Sequence, residues 1–119
     1  MNAKIRVLVV DDEPGVLRFV KSGLSLAGFD VTTANSGEEA LQFARIVNPD
    51  IMLLDILMVP MSGFDVLSQL RTFSRVPVIV FTARSDIGAM AVKEGANGFL
   101  AKPFKPEELV RKITETLGK

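Results

Sequence analysis

Short apolar runs alternate with longer amphipathic segments along the whole chain. The runs at 5–10 (IRVLVV), 50–55 (DIMLLD) and 76–81 (VPVIVF) are dominated by branched and other apolar residues. Strands in the middle of a parallel sheet have this composition because both of their faces are buried. DVTTA at 30–34 is more polar and predicts an edge strand, and GFLA at 98–101 predicts a fifth strand.

The segments that follow these runs repeat apolar residues at helical spacing and carry helix start and stop signals. In the first, Pro14 suits an opening turn and Gly28 suits the stop. In the second, Ser36 and Glu39 have the spacing of a capping box. In the last, Pro106 is followed by two glutamates, which favour the N-terminal end of a helix dipole. The predicted helices are 13–28, 36–47, 62–73, 85–95 and 106–117.

Five βα units in succession predict an α/β fold with a parallel sheet and helices on both of its faces. Five strands fit the flavodoxin-like, doubly wound (βα)5 arrangement with strand order 2-1-3-4-5. That order places the polar second strand at an edge and makes strands 1 and 3 neighbours. Ligands of such sheets bind beyond the carboxyl ends of the strands. At 119 residues, the chain is expected to be a single domain, 1–119.

Composition narrows the function classes. The formal net charge is zero, with 14 basic and 14 acidic side chains, which argues against a protein that coats nucleic acid or an anionic membrane. No apolar run approaches the roughly 20 residues of a membrane span, and the N-terminal segment is unlike a signal peptide. A cytoplasmic protein is therefore expected. Histidine is absent, so any chemistry must use carboxylates, hydroxyls and lysines.

Polar residues stand where the predicted strands end. Asp11 and Asp12 follow strand 1, Asp55 ends strand 3, Thr82 follows strand 4 and Lys102 follows strand 5. Taken singly, several have ordinary explanations: Asp12 as a helix cap, Thr82 as a β-former and Lys102 as a solvated charge. All five at one rim are much harder to explain by chance, and the apolar neighbours of Asp55 indicate that its carboxylate is confined.

The residue types indicate the chemistry. Two unit charges about 4 Å apart repel by roughly 4 kcal/mol at an effective dielectric constant of 20, so clustered carboxylates attract a cation. All-oxygen ligands suit Mg²⁺ or Mn²⁺. A carboxylate in such a site can also attack phosphorus and form an aspartyl-phosphate, while a lysine and a threonine hold the other phosphoryl oxygens.

The motifs VVDDEP, PDIMLLDI, VIVFTA and FLAKPF stand in this order at strand ends, and in combination they are specific. With them the chain resembles, over essentially its whole length, the receiver domain of bacterial two-component response regulators. The resemblance implies that Asp55 accepts a phosphoryl group from a sensor histidine kinase or a phosphotransfer protein. It implies Asp12 as a direct ligand of Mg²⁺, Asp11 as a ligand largely through water, and the backbone carbonyl of Leu57 as a further ligand. Lys102 would pair with the phosphoryl oxygens.

The resemblance also implies a switch. Thr82 would move toward the phosphate, Phe99 would swing inward behind it, and the Lys102–Pro103 bond would be cis. The output face would be the fourth helix, fifth strand and fifth helix, acting on an output domain or a downstream protein, with a weak homodimer allowed. No enzymatic activity is expected beyond self-directed phosphoryl transfer and autodephosphorylation. Neither direct nucleic-acid binding, nor membrane binding, nor an output domain within this chain is expected.

Two stretches depart from the family pattern. The usual proline four residues after the acceptor is replaced by Val59, and Pro60 stands one place later, while Gly63 keeps its usual position. The backbone path beside the site is therefore expected to differ locally. Asn97 and Gly98 stand where transcription factors of the family often carry two acids. An expected salt-bridge partner for a dimer across the output face is therefore missing.

Three alternatives to a switching receiver differ in what they require of the sequence. A flavin- or nucleotide-binding protein would need a Gly-, Ser- or Thr-rich phosphate cradle after strand 1, where this chain has the acidic DDEP. A haloacid-dehalogenase-like phosphatase would need a second aspartate at position 57, which is Leu57. A receiver that no longer switches and acts as a constitutive protein-binding module stays open.

Overall fold

Strands and helices alternate throughout the computed structural model, which describes residues 3–118. The strands are Arg6–Val10 (β1), Asp30–Ala34 (β2), Ile51–Asp55 (β3), Val78–Thr82 (β4) and Gly98–Ala101 (β5). The helices are Pro14–Leu26 (α1), Gly37–Ile46 (α2), Gly63–Leu70 (α3), Ser85–Lys93 (α4) and Pro106–Leu117 (α5). Across residues 3–118, none of the helices has both the length and the apolar character needed to cross a membrane.

The strands form one parallel sheet in the order β2-β1-β3-β4-β5, which confirms the predicted topology. The central strands β3 and β4 are buried along their whole length, whereas β2 is mostly half-exposed at the edge. Val10 of β1 is in register with Leu54, and Asp55 is in register with Phe81 of β4. The carboxyl ends of β1, β3 and β4 therefore meet at one rim.

Alternate residues of the strands face two separate cores. Leu8, Leu54 and Val80 point toward one face, which α2, α3 and α4 cover. Val9 and Leu53 point toward the other, which α1 and α5 cover. Because the strands have a side-chain period of two, this double burial explains why β3 and β4 read as unbroken apolar runs.

The residues at the helix ends follow most, but not all, of the start and stop signals in the sequence. Gly28 and Gly95 follow α1 and α4 with positive φ values of 96° and 114°, as helix-stopping glycines do. Ser36 caps α2 by accepting the backbone N–H of Glu39 at 3.1 Å. The Glu39 carboxylate accepts the N–H of Asn35, at 2.8 Å, and not that of Ser36, so the second bond of a capping box is replaced by one to the preceding residue.

Several boundaries differ from the predicted ones, and those of α3 and β4 have a clear physical reason. Helix α3 ends at Leu70, three residues early, because a tight turn begins there: Thr72 donates its hydroxyl to the Gln69 carbonyl at 2.6 Å. Strand β4 begins at Val78, two residues late, since Pro77 has no N–H to give to a ladder. It extends by one residue at its other end and so includes Thr82.

Candidate functional site

Three aspartates lie together at the carboxyl ends of β1 and β3. One carboxylate oxygen from each of Asp11, Asp12 and Asp55 lies within 4.8 Å of the others. Asp11 is fully buried and Asp55 is 3% exposed, whereas Asp12 is the most open of the three. The parallel register of neighbouring strands produces this convergence, as the sequence predicts.

Lys102 supplies the positive charge of the cluster. Its ammonium nitrogen lies 3.1 Å from Asp11 Oδ2 and 3.5 Å from Asp55 Oδ1. The backbone N–H of Lys102 donates to the Thr82 carbonyl at 2.9 Å, and the Lys102–Pro103 bond is cis, as predicted. Lys102 is therefore a member of the site and not a solvated surface charge, with its side chain 22% exposed.

Burial and like charge govern the ionisation of Asp55. Burial, and after it the nearby Asp11 carboxylate, raise the pKa of Asp55, while Lys102 and the Leu57 backbone N–H lower it, and the net result is a pKa of about 6. For Lys102, burial lowers the pKa, but the carboxylates of Asp55 and Asp11 outweigh it and raise the pKa above its usual value. The lysine stays charged and only partly neutralises the three acids.

Thr82 joins the cluster to the next helix. It ends β4, is 1% exposed, and its hydroxyl oxygen accepts the backbone N–H of Arg84 at 3.2 Å. Arg84 is the residue immediately before α4. A change in the Thr82 hydroxyl therefore acts directly on the start of α4.

Phe99 lies on β5 with its ring against α4. The ring is half-buried and covers Gly88, where an added Cβ would come within 2.5 Å of Phe99 Cδ2. Phe99 therefore packs between β5 and α4. Its inward swing stays a prediction.

The loop after Asp55 keeps close to the site despite its altered proline. Gly63 donates its N–H to the Ile56 carbonyl at 2.8 Å, and a Cβ on Gly63 would meet the Asp55 carbonyl oxygen at 2.5 Å. Val59 is 80% exposed and the Val59–Pro60 bond is cis, a local feature that the sequence does not predict. The role of the Leu57 carbonyl stays a prediction.

The donor set suits a hard divalent cation. Three carboxylates with oxygens this close, offset by one ammonium, keep a net negative charge that Mg²⁺ or Mn²⁺ would neutralise. Asp11 is also oriented by a contact that sequence reasoning missed, since the Glu13 N–H donates to its Oδ1 at 2.9 Å. The cluster therefore fits Mg²⁺, with Asp11, Asp12 and Asp55 as the residues that would hold it.

Comparisons with known proteins show to which family the chain is similar. A family model described as the response regulator receiver domain matches residues 7–114. The probable transcriptional regulator ycf27 of Porphyridium aerugineum is 38% identical over 116 residues, covering 96% of this chain and 48% of the relative. The DNA-binding response regulator MtrA of Mycolicibacterium smegmatis is 38% identical over 114 residues, covering 94% and 50%. The chain spans about half the length of these curated relatives.

Solved structures give the same result. A putative response regulator from Chloroflexus aurantiacus superposes with a TM-score of 0.92 at 32% identity, covering 98% of this chain and all of that one. The chemotaxis response regulator CheY4 of Vibrio cholerae superposes with a TM-score of 0.89 at 31% identity, covering 96% and 99%.

Proposed function

This chain belongs to the response regulator receiver domain family, and on that premise we propose that Asp55 is its phosphoacceptor. The observation that carries the proposal is the environment of Asp55. Its carboxylate ends a buried strand, lies within 4.8 Å of two further carboxylates and has the Lys102 ammonium 3.5 Å away. An acid placed at such cost in free energy is poised to react or to bind a cation.

The proposed reaction is a phosphoryl transfer. An Asp55 oxygen attacks the phosphorus of a phosphohistidine; the P–N bond breaks and its electron pair stays with the imidazole. Lys102 and the Thr82 hydroxyl hold the phosphoryl oxygens. Bound by Asp11, Asp12, Asp55 and the Leu57 carbonyl, Mg²⁺ or Mn²⁺ would supply neutralising charge. Attack of water on the acyl phosphate returns the carboxylate and releases phosphate, so the chain acts only on itself.

The surface beside Asp55 suits a protein donor. Phe19, Leu57 and Val59 are 50%, 55% and 80% exposed. An adjoining cleft is lined by Val16, Phe19, Ala83, Lys102, Pro103 and Phe104. Exposed apolar groups next to a reactive site favour docking of a partner, and a sensor histidine kinase or phosphotransfer protein is the partner that supplies the reaction.

The proposed output runs through α4, β5 and α5. The Thr82–Arg84 bond connects the site to α4, and the Phe99–Gly88 contact connects β5 to the same helix. On α4, Met90 and Val92 are 55% and 41% exposed. An output domain or a downstream protein would read this face. Direct DNA binding is not expected of this domain, and the cytoplasmic location stays a prediction.

The test is phosphorylation in vitro. Wild type incubated with acetyl phosphate and Mg²⁺ should gain the mass of one phosphoryl group, and chelator should abolish the gain. Asp55→Asn should gain nothing, while Asp30→Asn, which alters an exposed acid at the opposite end of the sheet, should behave as wild type. Equal labelling of Asp55→Asn would sink the proposal. No labelling of wild type would leave the non-switching binding module.

A further inference from the structure

Arg71 ties together three segments at the end of the molecule away from Asp55. It follows α3 directly and is half-buried, and each of its three guanidinium nitrogens donates to a nearby acceptor. These are the carbonyls of Val76 at 2.8 Å, Ser74 at 3.3 Å and Gly95 at 3.0 Å, and Asn97 Oδ1 at 3.2 Å. Arginine suits this task because its planar fork presents five donors in fixed directions.

Asn97 continues the linkage into the sheet. Its Oδ1 also accepts the N–H of Val78 at 2.9 Å, and its own N–H donates to the Val78 carbonyl at 2.7 Å. Val78 is the first residue of β4. The segment after α4 is thus fastened both to the start of β4 and, through Arg71, to the end of α3.

The other end of α4 is held far more lightly. Arg84, Ser85 and Asp86 are exposed, and the side chain of Arg84, the N-cap residue, makes no capping hydrogen bond to the helix. The Arg84–Asp86 ion pair lies at the surface, where such pairs contribute little. The Arg84 N–H bond to the Thr82 hydroxyl connects this end to the site.

We propose that Arg71 and Asn97 form an anchor for the C-terminal end of α4, so that switching at Asp55 displaces α4 at its N-terminal end alone. This proposal rests on the proposed function. If the Thr82 hydroxyl turns toward a phosphoryl oxygen, it gives up the Arg84 N–H and releases the first turn of α4. The bonds of Arg71 and Asn97 do not involve Thr82, so the far end keeps its place. Helix α4 then pivots about the anchor, which makes Arg71 a positioning residue for the switch.

Hydrogen–deuterium exchange tests the pivot. Phosphorylated wild type should exchange faster by about threefold or more in peptides covering 83–88, with no change in 93–98. In Arg71→Lys, which keeps the charge but loses the fork, 93–98 should respond as well. Arg75→Lys is the matched control, because Arg75 is exposed and close in sequence. It should behave as wild type, and peptides from α1 and β2 should not change in any variant.

A second variant makes the test independent of phosphorylation. Thr82→Val removes the acceptor for the Arg84 N–H while keeping a branched side chain in its buried place. It should speed exchange in 83–88 and leave 93–98 unchanged unless Arg71→Lys is added. Equal responses at both ends of α4 while Arg71 is intact, or no effect of Arg71→Lys on 93–98, would overturn the anchor. Intact mass scores phosphorylation separately, so a missing phosphoryl group counts against the proposed function and not against the anchor.

Discussion

Asp55 is the residue at which folding and function conflict most directly. Its carboxylate is almost fully buried beside two other acids, and Lys102 compensates only in part. Folding holds the pKa of Asp55 at about 6, above its ordinary value of 3.8. The native state therefore binds this proton more tightly than the unfolded chain does. The contribution of this proton to the free energy of unfolding is lost as pH rises through about 6.

Asp55→Asn should accordingly stabilise the metal-free protein at neutral pH. A shift of about 2 pKa units corresponds to at most about 3 kcal/mol, and we expect a gain of about 1–3 kcal/mol in the free energy of unfolding at pH 7.5 in chelator. The gain should shrink as pH falls below 6 and vanish only below about pH 3, where wild-type Asp55 is protonated in both states. Lys102 keeps its contact with Asp11 in this variant. Urea denaturation across this pH range measures the effect.

Asp30→Asn is the control, because its carboxylate is exposed at the opposite end of the sheet. It should change the stability little at any of these pH values. A gain for Asp55→Asn that does not depend on pH would show that packing, and not charge, is responsible.

The site residues differ in how visible they are to sequence reasoning. Asp11, Asp55 and Thr82 could be placed because parallel strands bring their carboxyl ends to one rim. Glycine is required at position 63 because a Cβ there would lie 2.5 Å from the Asp55 carbonyl oxygen. The role of Arg71 depends on four acceptors in two separate segments, 74–76 and 95–97. Such requirements arise from tertiary distances and leave no periodic signal.

At the scale of elements, α4 shows how a local rule can be overridden. Glycine weakens a helix interior by about 1 kcal/mol relative to alanine, yet Gly88 stands in the middle of α4. The Phe99 ring explains it, because a Cβ at this position would lie 2.5 and 2.6 Å from two ring carbons. Helix α4 and strand β5 can approach closely only with glycine there.

Gly88→Ala should therefore destabilise the protein by about 1–3 kcal/mol, since the overlap forces the ring or the helix to shift. Gly15→Ala is the matched control: it lies in α1, and a Cβ there meets nothing within 4 Å. It should stabilise by a few tenths to about 1 kcal/mol. Urea denaturation of both variants measures the difference.

A double-mutant cycle assigns the cost to the ring. In a Phe99→Ala background, Gly88→Ala should be neutral or stabilising, giving a coupling of about 1 kcal/mol or more. If Gly88→Ala stabilises wild type as Gly15→Ala does, the close packing of the Phe99 ring does not require glycine at position 88.

Across the whole molecule, the strand order could be predicted because βα alternation leaves few right-handed topologies, and the polarity of DVTTA selected the edge. Assembly is different. Asn97 is used internally by Arg71 and Val78, and Gly98 has the Lys112 side chain 3.1 Å from where its Cβ would be. Neither position offers an acid to a second copy, and a weak homodimer stays a prediction.

Cation binding should couple the acidic cluster to the stability of the whole fold. An ion that binds the native state alone stabilises it by mass action, by about 2.7 kcal/mol at a concentration 100 times its Kd. Wild type should thus melt at a higher temperature in Mg²⁺ than in chelator.

Lys102→Met should melt at a lower temperature than wild type in chelator, by the equivalent of about 2–4 kcal/mol, because the buried carboxylates lose their partner. It should also gain more from Mg²⁺ than wild type, because the ion no longer competes with the ammonium. Lys21→Met removes the same unit of charge from an exposed site on α1 and should leave the Mg²⁺ shift unchanged. An equal Mg²⁺ shift in all three proteins would place the ion elsewhere than beside Asp11 and Asp55.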